Sequence, residues 1–123
     1  SLLPQAQALA AANKRVSNIL GKLDSAHSFG DVSASLLVKP EEKALLGCLE
    51  DLSNTCRKHL ERDEYTEALS CLAALREPVD AFFDDVMVNV EDAQLRDNRL
   101  NLLKRLRDLF LEVADISLLA VSK

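Results

Sequence analysis

Apolar residues recur at three- and four-residue spacing through most of this chain, a period that predicts amphipathic helices. From Pro4 to Leu23, the residues Leu9, Ala12, Val16, Ile19, Leu20 and Leu23 make one face, while Lys14, Arg15, Asn18 and Lys22 lie together on the other. Asn13 borders the apolar stripe and is expected to make an interhelical hydrogen bond. Periodicity is lost over 24–39, where four serines, a glycine and two aspartates mark a loop. Leu36, Leu37 and Val38 are expected to tuck back from it onto the core. A second helix opens at Pro40-Glu41-Glu42, with proline and then acids in the first turn, as the helix dipole prefers. Leu45, Leu49, Leu52, Cys56 and Leu60 form its buried face, and it ends near Arg62-Asp63. A tight turn leads into a third helix with Tyr65, Ala68, Leu69, Leu72 and Leu75 inward, antiparallel to the second.

Pro78 interrupts the pattern. Proline lacks the amide donor and its ring crowds the preceding turn, so a break or kink is expected at Glu77-Pro78. The apolar period then continues through Val79, Phe82, Phe83 and Val86. On a continuous axis Arg76 would share a side with Leu72 and Phe83, within reach of Asp80 four residues on. The last helix starts near the acidic pair Glu91-Asp92 and runs to about Leu118, lined by Leu95, Leu102, Leu106, Leu109, Phe110 and Val113. Arg99 falls close to that stripe, and its expected partner is Asp80, Asp84 or Asp85. The pattern thus predicts an all-α bundle of four to five helices in one domain spanning 1–123.

Composition sharpens the picture. With 48% hydrophobic and 28% charged residues among 123, the chain is globular, and three glycines and three prolines leave little room for a many-turned β fold. No apolar run approaches the roughly 20 residues of a membrane span. Ser1 in place of methionine suggests a domain of a longer protein. Cys48, Cys56 and Cys71 have no C-x-x-C spacing, which predicts reduced core cysteines in a cytosolic setting rather than zinc ligands.

The net charge of −5 argues against a general nucleic-acid binder, but the charge is uneven. Residues 1–23 hold three basic and no acidic residues, 24–92 six basic and sixteen acidic, and 93–123 six basic and four acidic. A local RNA site is possible if the first and last helices lie side by side. Chemistry is otherwise sparse. There is no glycine-rich phosphate loop, no H-E-x-x-H and no G-x-S-x-G, and the adjacent carboxylates Asp84-Asp85 diverge on a helix.

Separated motifs carry a resemblance. A-N-K-R-V-S-N-I-L (Ala12–Leu20), L-R-E-P-V-D-A-F-F-D-D-V-M-V (Leu75–Val88), and L-R-D-N-R-L-N-L-L (Leu95–Leu103) followed by L-F-L-E-V-A-D-I-S-L-L (Leu109–Leu119) look like the C-terminal region of the bacterial glycyl-tRNA synthetase β-subunit family. D-A-Q-L-R (Asp92–Arg96) resembles the D-A-L-R signature of the anticodon-binding domains shared with arginyl-tRNA synthetases, with a glutamine inserted before Leu95. The resemblance implies an all-α, DALR-type anticodon-binding domain with no cofactor of its own. The parent would be a cytoplasmic ligase, an α/β heterotetramer that attaches glycine to its tRNA with ATP and magnesium at an active site in the α subunit. This domain's partners would be the anticodon region of glycine tRNA, the rest of the β subunit and the α subunit. On the matched motifs the tRNA-binding candidates are Asn13, Lys14, Arg15 and Asn18; Arg76, Phe82 and Phe83; and Arg96, Asn98 and Arg99. Unpaired loops are read by stacking on aromatic or arginine planes, and with one tyrosine and four phenylalanines arginine stacking is the favoured mode. Two alternatives stand beside this: a helical module docking another subunit, and the corresponding domain of an arginyl-type synthetase. The second motif argues against the latter.

Overall fold

The computed structural model describes residues 4–121; Ser1, on which the longer-chain reading partly rests, lies outside them. Five α-helices follow one another: α1 (Pro4–Gly21), α2 (Pro40–Glu61), α3 (Tyr65–Leu72), α4 (Arg76–Asp85) and α5 (Ala93–Val121). Single 3-10 turns lie at Ala34–Leu36 and Ala73–Leu75, and no strand occurs among the described residues. The all-α expectation holds.

The helix ends follow from local chemistry. α1 stops two residues short of Leu23 because the amides of Lys22 and Leu23 turn to the carbonyls of Ile19 and Leu20, at 3.3 and 3.2 Å, tightening the last turn. α2 carries Pro40 in its first turn, and the Glu42 carboxylate reaches back to accept the backbone N–H of Lys39 at 3.1 Å. At its far end the Glu64 N–H bonds to the His59 carbonyl at 2.9 Å and the Asp63 N–H to that of Leu60 at 3.1 Å. This double closure needs a left-handed residue between, and Asp63 supplies it with φ of 58°. Asp92 caps α5, its Oδ1 accepting the amides of Gln94 and Leu95 at 3.0 and 3.1 Å.

Pro78 acts one turn earlier than the sequence suggests. It cannot donate to the carbonyl four residues back, that of Ala74, and its ring crowds the same carbonyl. The helix therefore tightens into the 3-10 turn at Ala73–Leu75, and the Cys48 thiol donates to the freed Ala74 oxygen at 3.8 Å. The turn resets the phase of α4. Arg76 emerges on the exposed side rather than with Leu72, and makes the expected pair with Asp80, loosely, at 3.8 Å.

The core gathers one stripe from each helix: Leu9 and Val16 of α1, Leu45 and Leu49 of α2, Ala68 and Leu72 of α3, Val79 and Phe82 of α4, and Leu102, Leu103, Leu106 and Val113 of α5. α5 is the central strut, packing against α1, α2 and α3. From the long loop, Leu37 is buried but Val38 is 60% exposed, so only part of the expected apolar triplet turns inward.

All three cysteines are free, with Cys56 fully buried between α2 and α3. Burial first, and then a hydrogen bond with Cys71, push the Cys56 thiol well above its ordinary range; burial also raises Cys48. A raised thiol favours the folded state while it stays protonated. That contribution is complete below the thiol's ordinary pKa and is lost as the pH climbs through the raised value. Two outcomes are expected: iodoacetamide at pH 8 labels Cys56 at least about tenfold more slowly in the native than in the urea-unfolded protein, and unfolding free energy declines above about pH 9. Mass mapping of the labelled cysteines and urea titrations across pH measure them.

Candidate nucleic-acid interface

The α1 motif divides around its helix. At about 100° per residue, Arg15 and Lys22 fall within about 20° of each other, and Ile19 about 40° from Arg15. These three face the end of α4 and the segment after it. Lys14 and Asn18 are exposed further round. Asn13 lies about 160° from Arg15, on the other flank of the core stripe. Among the described residues its expected interhelical hydrogen bond is not seen, and its buried Oδ1 has no partner.

The α5 motif serves mainly to brace. Arg99 is 5% exposed and Glu42 wholly buried; Arg99 Nη2 lies 3.1 Å from Glu42 Oε1. Arg99 Nη1 donates to the Met87 carbonyl at 2.6 Å. Its partner is therefore Glu42, at the start of α2, and none of Asp80, Asp84 and Asp85. A carboxylate in the first turn of α2 already satisfies two backbone amides, Val38 at 3.3 Å and Lys39 at 3.1 Å, and faces the positive end of the helix dipole. Asp84 and Asp85 end α4, where the dipole is reversed, and Asp80 in mid-helix is taken by Arg76. One turn before Arg99, Arg96 Nη1 donates to the Val90 carbonyl at 3.2 Å. The two arginines thus hold the backbone of 87–90.

Asn98 does similar work on the other side. It accepts the Ser33 amide at 2.7 Å and returns its Nδ2 to the Ser33 carbonyl at 3.1 Å. Three residues on, Asn101 accepts the Gly30 amide at 3.0 Å. These asparagines clamp the long loop to α5. Asn98 is 3% exposed and Phe82 fully buried, so neither can touch a ligand directly.

A groove runs between α1, the end of α4 and residues 86–90. Its central part, about 550 Å³, is lined by Arg15, Phe83, Asp84, Asp85, Met87 and Arg99, among others. It continues past Arg15 and Phe83 toward Ala8 and Ala12 on one side, and past Ile19 and Val88 toward Lys22 and Arg96 on the other. The guanidinium carbon of Arg15 sits 4.2 Å over the centroid of the Phe83 ring. Phe83 in turn stands edge-on to Phe82, centroids 5.6 Å apart with an interplanar angle of 81°. The buried ring fixes the half-buried Phe83 ring, and that ring fixes the cation. The product is a flat, charged stacking surface of the kind unpaired bases use.

Of the sequence candidates, the groove gathers Arg15, Phe83, Arg96 and Arg99; it leaves Lys14 and Asn18 outside its lining, and Arg76 near its end through Asp80. Sequence reasoning missed Lys39, whose Nζ donates to the Asp85 carbonyl at 2.6 Å, and Met87, 69% exposed at the groove. Lys39 precedes a proline-initiated helix far from the motifs, so no local spacing points to it. Met87 sat in plain view inside the second motif as an apolar residue with no helical period to place it. A smaller cleft of about 270 Å³ between α2 and α5 holds Arg57 and Arg105 with Asp108 and Glu112. Arg57 is paired with Glu112 at 3.6 Å, so its charge is offset there.

Comparison with known proteins adds the following. A model of the DALR anticodon binding domain matches residues 9–118. The chain is 55% identical over 117 residues to the glycine–tRNA ligase beta subunit of Actinobacillus pleuropneumoniae, covering 95% of this chain and 17% of that protein. The subunits of the same name from Marinobacter nauticus and Pseudomonas aeruginosa are 54% and 56% identical over 118 and 117 residues, with the same coverage of each chain. The chain spans about 17% of the length of these curated relatives.

Two stability outcomes follow from the braces. Arg99→Ala leaves Glu42 buried without its cation and should cost about 3–5 kcal/mol in urea unfolding. Asn98→Ala should cost about 1–3 kcal/mol and speed hydrogen exchange at the Ser33 and Gly30 amides, with exchange in α3 unchanged. A cost below about 1 kcal/mol for Arg99→Ala would contradict the brace.

Proposed function

The chain belongs to the DALR anticodon binding domain family, and from that premise we propose that it reads the anticodon region of glycine tRNA as part of a glycine–tRNA ligase β subunit. The relatives' name and identity support the ligase. The observation that carries the RNA contact is the Arg15–Phe83 stack, set in the groove between α1, the end of α4 and residues 86–90. An unpaired base slides onto the outer face of the Arg15 guanidinium. Lys22 and Arg96, further along the groove, accompany the phosphates on one side of it.

Asn98, Phe82 and Arg99 act in this reading as supports rather than contacts, Lys14 and Arg76 contribute at longer range to the field, and Asn13 and Asn18 stand outside the lining of the groove. In this proposal glycine attachment, with its ATP and magnesium, happens at an active site outside this chain, in the α subunit of a heterotetramer. The domain positions tRNA while the rest of the β subunit joins it to that site, in the cytoplasm. No described helix is long and apolar enough to cross a membrane.

The test uses the full-length protein carrying this domain and a glycine-tRNA anticodon stem-loop. Arg15→Ala should weaken binding about tenfold, because one stacked base is worth about 1–3 kcal/mol. If the guanidinium also neutralises a phosphate, the salt slope should fall by about 1. The melting temperature should drop by a few degrees at most, since an exposed cation–π contact is worth about 0.5–1 kcal/mol. Lys14→Ala, on a different side of α1, should have the smaller effect. Unchanged affinity in Arg15→Ala would sink the groove as the RNA site.

A further inference from the structure

A groove for a polyanion has an unexpected wall. Asp80, Asp84 and Asp85 all line it beside the Arg15–Phe83 stack. Asp80 is engaged by Arg76 at 3.8 Å. Lys39 reaches this wall but donates to the backbone carbonyl of Asp85, not to a carboxylate. Among the described residues Asp84 has no ion pair or side-chain hydrogen bond, and it is exposed.

Asp84 also occupies a position that local stability does not favour. It is the penultimate residue of α4, a helix with no basic residue in its last turn. The dipole there is negative, so a carboxylate is repelled by the helix that carries it. It would be repelled equally by a phosphate. Neither helix stability nor backbone binding accounts for its place.

A base edge does. A carboxylate is an acceptor only. Cytosine and adenine present an exocyclic amine that donates; uracil presents a carbonyl oxygen at the position of the cytosine amine. A carboxylate held beside a stacking plane therefore favours the amine and sets two acceptors against each other for uracil. Asp84 is the aspartate placed to do this, since it borders both stretches of groove that Arg15 and Phe83 line, whereas Asp85 borders only one. Arg99, buried on all but 5% of its surface and with its Nε unpartnered, lines the same part of the groove. Its charge is offset by Glu42 at 3.1 Å, so it leaves the Asp84 carboxylate free to accept. Val86, Met87 and Val88 add apolar wall that thins out competing water.

We infer that Asp84 is a specificity-determining residue, its carboxylate accepting a hydrogen bond from the exocyclic amine of the base stacked on Arg15. The inference rests on the groove being the RNA site. The experiment titrates the full-length protein with a stem-loop carrying cytosine at one unpaired anticodon position and with the same RNA carrying uracil there, each anticodon position in turn. At one position the wild type should prefer cytosine about tenfold or more. An amide can turn its oxygen to the amine or its NH2 to the carbonyl, so Asp84→Asn should narrow that preference to within about twofold by binding the uracil loop more tightly. Asp85→Asn should keep the wild-type preference, and both variants should melt at or slightly above the wild type, since each removes a carboxylate from the negative end of α4. Equal wild-type binding of cytosine and uracil loops at every position overturns the assignment, as does an Asp84→Asn protein with undiminished preference. Affinity that survives Arg15→Ala overturns the groove itself, and this inference with it, and is read from a separate variant.

Discussion

The buried pair between Glu42 and Arg99 is the contact on which the rest depends. Removing two charges from water is expensive, and their mutual attraction repays that only when remaining donors and acceptors are also satisfied. Here Glu42 Oε1 accepts from Arg99 and from the amides of Val38 and Lys39, and Arg99 donates onward to the Met87 carbonyl. One interaction thus joins the start of α2, the first turns of α5 and the segment that lines the groove. The orphaned Glu42 Oε2 and Arg99 Nε show that the pair is not saturated. Its net contribution to stability is small because desolvation offsets the attraction, yet removing one partner is costly because the other charge is left buried and unpaired.

The neighbouring polar residues of α5 extend the same principle. Arg96 fixes Val90, Asn98 fixes Ser33 and Asn101 fixes Gly30. Two irregular segments, one long and one short, are thereby attached to a single rigid helix whose opposite stripe is core. Loops are good at presenting ligand-binding groups and poor at holding them still. Bracing from a helix removes the second difficulty. Phe82 plays the equivalent part in α4, a buried ring that orients the half-buried Phe83 and, through it, Arg15.

Periodicity located the helices because each buries one stripe, and proline and acid signals found the starts of α2 and α5 within a residue or so. Arg99 was legible as a polar residue on an apolar stripe. Its partner was not, because local spacing offers only the aspartates of α4 while Glu42 lies 57 positions away. That separation is set by how α2 packs on α5, which no local spacing encodes. Arg76 was misplaced for a different reason: the helical phase was carried straight through Pro78, and the 3-10 turn at 73–75 breaks it. Asn13 shows the limit of bordering positions, which point equally well to a hydrogen bond or to a buried atom without one. The Arg15–Phe83 stack joins two motifs that the sequence names separately; only the packing of α1 on α4 reveals that they meet.

The most direct measurement of the central claim is a map of amide chemical-shift changes when the isotopically labelled domain is titrated with a glycine-tRNA anticodon stem-loop. The groove account expects the largest changes at Arg15, Ile19 and Lys22 and along Phe83–Val90, with Arg96 included and the α2–α3 turn silent. Changes concentrated at the α2–α3 turn or around Asn13, with Phe83–Val90 unmoved, would contradict it.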